Sequence, residues 1–83
     1  MERTIFKQIS YIITTKKEDE FLCHGVESEY ERFENIERAV KFFPRGAAEK
    51  VLSELLESNP ITDLNIILPI TTTYSITEEK NDV

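Results

Sequence analysis

The sequence predicts a small α+β domain: a three-stranded antiparallel sheet with two helices on one face, in the chain order β-β-α-α-β. Three observations predict it. Runs rich in Ile, Tyr and Thr, Ile5 to Thr15 and Leu64 to Ile76, stand towards the two ends of the chain, and β-branched and aromatic residues suit pleated surfaces. Between them, Ala47, Ala48, Val51, Leu52 and Leu55 recur at helical spacing. The chain has 83 residues, enough for one layered domain with a thin core, since a chain this short buries only about 60–65% of the surface its unfolded form exposes.

The first strand places Ile5, Ile9, Tyr11 and Ile13 on one parity and Phe6 and Ile12 on the other. Both of its faces are therefore expected to be at least partly covered. Lys16-Lys17-Glu18-Asp19 reads as a turn, and Phe21 to Val26 as a second, shorter strand. A hairpin is the economical connection between them. Glu27 to Glu34 has two readings. As a strand it sets Glu27, Glu29 and Glu31 on one face and Tyr30 on the other; as a loop it is simply solvated.

Asn35 is an expected N-cap for a short helix, Ile36 to Phe43, in which Ile36 and Val40 stand four residues apart. Pro44 ends that helix, because proline removes a donor and clashes with the preceding turn, and it enters a second helix reaching about Ser58. Pro60 closes this one by disfavouring helical geometry at Asn59. The last strand places Ile66, Leu68, Ile70, Thr72, Tyr74 and Ile76 on one face. Its Pro69 cannot donate to a ladder, which predicts an edge strand or a bulge. The first strand is expected between the second and the last, because the two long strands match in length. Residues 1–76 are read as one domain and 77–83 as a frayed tail.

The stretch Arg38-Ala39-Val40-Lys41-Phe42, then Ala47-Ala48-Glu49, then Asn65-Ile66-Ile67-Leu68-Pro69, resembles a pattern in small accessory proteins of bacteriophages and mobile elements. There a hairpin is followed by a short helix, a longer helix and a final strand. The resemblance spans most of the chain, rests on packing positions and carries over no functional residue. It implies a protein working in the cytoplasm of a bacterial host, in a group some of whose members block host defence systems.

Composition excludes several classes. One Cys rules out a disulfide framework within the chain and a Cys-rich zinc site. No apolar run approaches the roughly 18 residues of a membrane span. A net charge of −6 argues against direct nucleic-acid binding, which needs a basic footprint. Cys23 and His24 adjoin, but neighbours on a strand point to opposite faces, so the imidazole does not reach the thiol. The Pro44-Arg45-Gly46-Ala47 helix start lacks the surrounding pattern of a phosphate loop. Neither cofactor nor metal is expected, and a sheet this small rarely encloses an enzyme's pocket.

The placement of charge is more informative than its total. Residues 18–37 hold Glu18, Asp19, Glu20, Glu27, Glu29, Glu31, Glu34 and Glu37 against Arg32 alone, eight acids to one base. The remaining residues hold eight acids and nine bases. On an extended segment, alternate side chains stand about 6.5–7 Å apart, close to the phosphate spacing along one nucleic-acid strand. The leading expectation is a non-enzymatic binding module for a basic protein surface, of the anti-CRISPR or anti-restriction type. Glu27, Glu29, Glu31, Glu34 and Glu37 would enter the partner's nucleic-acid groove, with Tyr30 and Phe33 as aromatic anchors. The second expectation is an assembly protein that pairs with itself through its sheet, burying Phe6, Ile12 and Ile67; there the acidic run is only a solvated face.

Overall fold

A computed structural model describes residues 2–26 and 29–77. Among the described residues the strands are β1 (Glu2–Thr14), β2 (Phe21–His24), β3 (Tyr30–Phe33) and β4 (Ile66–Thr77), and the one α-helix is α1 (Arg45–Ser58). They form a four-stranded antiparallel sheet in the order β3-β2-β1-β4. This corrects the expected architecture in two places. The Glu-rich stretch supplies a fourth strand at the sheet edge, and the expected first helix is absent. The expected tail, apart from Thr77, lies outside the described residues; Thr77 itself pairs with Glu2.

In place of a helix over Ile36 to Phe43 stands a single 3₁₀ turn, Ile36–Arg38, followed by extended chain. Asn35 does cap it: the side-chain oxygen accepts the Glu37 N–H at 2.9 Å. The reason for the extended chain lies in the hairpin. β1 and β2 are paired at Thr14 and Phe21, and the chain at 39–42 bridges both: Cys23 pairs with Ala39 and Tyr11 with Phe42. Val40 N–H donates to Leu22 O at 2.9 Å, and Tyr11 and Phe42 exchange two bonds of 2.9 and 2.8 Å. These backbone groups would otherwise be buried without partners. Successive side chains of this segment also serve opposite layers, which a helix cannot arrange: Ala39 joins one apolar cluster, Val40 and Phe42 the other.

Those clusters cover the two faces of the sheet. On one face, α1 packs Ala48, Val51, Leu52 and Leu55 over Ile13, Leu22, Val40, Phe42 and Leu64. On the other, Ile12, Phe21, Cys23 and Ala39 are sealed with help from Phe33, Leu68 and Ile70. Ile12 and Ile13 are 1% and 0% exposed, so β1 is covered on both sides here, as its mixed parity predicts. Burying two such side chains contributes roughly 1.5–3 kcal/mol each.

Beyond this body the sheet narrows to two strands. β1 and β4 pair from Thr14 with Ile66 out to Glu2 with Thr77, with a bulge between Thr4 and Phe6. Residues 2–9 are all exposed, so among the described residues the outer half of this ribbon is an arm with no layer on either face. The molecule measures 59 × 25 × 24 Å, and its radius of gyration is 16.4 Å, against about 12 Å for a compact chain of this length. β4 is an edge strand, so Pro69 costs no ladder hydrogen bond on its open side. No helix among the described residues is long and apolar enough to cross a membrane.

Candidate functional site

The acidic residues converge on one end of the molecule, around the β1–β2 turn, β3 and the 3₁₀ turn. β3 exists because Glu29 to Phe33 can pair with β2: Phe21 faces Phe33, Leu22 faces Arg32, Cys23 faces Glu31 and His24 faces Tyr30. Alternation then divides the side chains. Tyr30 lies on the same face as His24, their rings stacked with centroids 5.9 Å apart. Glu31 and Phe33 take the opposite face. Phe33 is half-buried against the inner cluster, under the Arg38 guanidinium 4.0 Å from its ring centroid. Of the two expected anchors, Tyr30 is thus the more open and Phe33 serves packing.

Glu29, Glu31, Glu34 and Glu37 are exposed, and Glu27 lies outside the described residues. The expected unbroken row of Glu27, Glu29 and Glu31 therefore has Glu31 in the strand and Glu29 at its start, its carbonyl accepting the Gly25 N–H at 2.6 Å. Gly25 matters to this edge. A methyl group there would stand 2.5 Å from Glu31 Cγ, so the glycine leaves the room that Glu31 occupies.

Two carboxylates of the acidic run, Glu20 and Asp19, have other tasks. Arg32 forks between Glu20 and Asp63, reaching an Asp63 oxygen at 2.7 Å. This ties β3 to the loop before β4 and cancels Glu20. The guanidinium holds the Asp63 carboxyl below its ordinary range, and the two carboxylate hydrogen bonds raise the Arg32 pKa. Asp19 closes the β1–β2 turn: Thr15 Oγ1 donates to its carboxylate at 2.5 Å, and its N–H donates back at 3.3 Å.

Between the turn, the 3₁₀ segment and β4 lies a groove of about 450 Å³. Its apolar lining is Ile12, Phe21, Ile36, Leu68, Pro69 and Ile70, and its two charged residues are Glu18 and Glu34. Neither carboxylate has an ion-pair partner among the described residues. Glu18 also holds φ at 59°, a left-handed conformation that costs an L side chain roughly 1–2 kcal/mol and that glycine adopts freely. A carboxylate kept where glycine would fold better is the kind of local strain that collects at functional sites. Sequence reading missed the groove and Glu18's part in it. The signal was the turn itself, Lys-Lys-Glu-Asp, a tight connection without Gly or Asn.

Cys23 is buried and its thiol lies 3.4 Å from Phe21 O. Burial pushes its pKa up, with Arg38 opposing more weakly. His24 is exposed on the other face, so the two do not form a nucleophile and base. No known protein family, curated protein or solved structure matches this chain.

Proposed function

We propose that the chain is a non-enzymatic binding module that recognises a basic protein surface through the acidic end of its sheet. The observation that carries this reading is the groove: an apolar floor with Glu18 and Glu34 on its margin, beside the exposed carboxylates of Glu29, Glu31 and Glu37. An apolar pocket with a few polar groups is the usual form of a recognition site. Its chemistry fits an apolar side chain flanked by Lys or Arg. The apolar group displaces water from Ile36, Leu68 and Ile70, while the flanking cations meet Glu18 and Glu34. The surrounding carboxylates speed encounter and select against acidic partners. Surfaces of this kind belong above all to proteins that handle nucleic acid, whose grooves are basic by function. A host defence protein of that type is the partner class we propose, inhibited by occupation of its groove.

A peptide carrying Leu between pairs of lysines tests the site. Titrated into the labelled protein, it is expected to shift the amide signals of Ile36, Leu68 and Ile70 and to lose affinity steeply with salt. The double variant E18K/E34K is expected to weaken it roughly tenfold or more, as reversal of close charges at an interface does. Equal affinity in the variant and the wild type would sink the reading. In a second assay the chain should compete with DNA for a basic nucleic-acid-binding protein, and E18K/E34K should not.

A further inference from the structure

The arm at the other end of β1 presents a surface that the groove does not explain. Ile5, Phe6, Ile9, Tyr74 and Ile76 are 44–54% exposed. Phe6 and Tyr74 stack with centroids 4.5 Å apart, and Ile76 shares the face of Tyr74 by alternation. The backbone is open as well. Among the described residues, no strand pairs with Glu2–Ile9 on the side of β1 away from β4, because β2 pairs with β1 at Thr14 and the bridging segment at Tyr11. A lone two-stranded ribbon is marginal in water, whereas three or more strands with an apolar face are stable. A long edge strand is a template for a further strand.

We infer that this edge pairs with the same edge of a second copy, so that the two arms form one four-stranded antiparallel sheet, β4-β1-β1-β4, about a two-fold axis. Charge complementarity along the edge identifies the occupant. An antiparallel register with its axis between Thr4 and Ile5 sets Glu2 of each copy against Lys7 of the other. It also pairs the bulged stretch of β1 with its own counterpart, so the irregularity at Thr4 and Phe6 recurs symmetrically instead of breaking the ladder. The Phe6–Tyr74 stacks of both copies then lie on one continuous face.

Sedimentation equilibrium of the whole chain, from micromolar to millimolar concentration, tests this. The wild type is expected to form a dimer. K7E sets like charges opposite each other twice per dimer and is expected to weaken it roughly tenfold or more; the double variant E2K/K7E is expected to restore it. Both residues are exposed, and the far-ultraviolet circular dichroism of each variant reports that the body remains folded. A wild type that stays monomeric throughout, or a dimer that K7E leaves unchanged, would overturn the inference. Neither substitution touches the groove, so peptide binding by the same variants separates failure here from failure of the binding-module reading.

Discussion

Glu18 concentrates the conflict between folding and recognition in one residue. Its left-handed backbone costs roughly 1–2 kcal/mol, and glycine would remove that cost while adding about 0.5–1 kcal/mol of chain entropy to be lost on folding. E18G is therefore expected to raise stability in urea by about 0.5–1 kcal/mol and at the same time to weaken the basic peptide. A variant that gains stability with binding intact would show that the carboxylate serves no recognition. Asp63 allows a pH test. Its pKa is depressed by the Arg32 guanidinium, so its contribution is fully present above the ordinary carboxylate range, near about pH 4, and is lost as pH falls through the lowered value. Thermal midpoints of wild type and D63N should thus converge in strong acid and separate above that range. Midpoints that differ equally at every pH would refute the assignment.

At the scale of elements, the 39–42 segment holds the body together. It fills the opening of the β1–β2 hairpin with hydrogen bonds from Val40 and Phe42, both buried side chains. Their amides are expected to exchange with solvent as slowly as those of Ile12 and Ile13, although no regular strand contains them; exchange at the rate of a surface loop would contradict the bridging role. This segment also marks the limit of what the sequence revealed. The two long strands, the second strand, the α1 helix and the edge position of Pro69 were legible, because each follows from local periodicity or from a missing donor. Ile36 to Phe43 misled because Ile36 and Val40 share helical spacing, yet Ile36 is 46% exposed and its neighbours divide between two apolar layers. Only the opened hairpin explains that division, and the hairpin's opening is a tertiary fact. The acidic edge was legible as composition. The groove was not, because its lining comes from β1, β2, the 3₁₀ turn and β4 together.

As a whole, the molecule has two ends of different character joined by β1. One end is acidic and grooved; the other is an apolar two-stranded arm. Self-pairing of the arms would place two acidic grooves at the far ends of one assembly, and a partner with two basic sites would then be held by both, with the gain in avidity that linked sites give when their spacing matches. The arm has a further consequence, in time rather than in space. Its ladder joins Glu2 to Thr77, residues from opposite ends of the described chain. Contacts so distant in sequence must overcome the largest loop-closure entropy before they return any stability. During synthesis β1 is made well before β4, its longest partner. Until residues past Ile66 emerge, Ile5, Phe6 and Ile9 have no strand beside them, and the nascent chain must keep that sequence from pairing elsewhere.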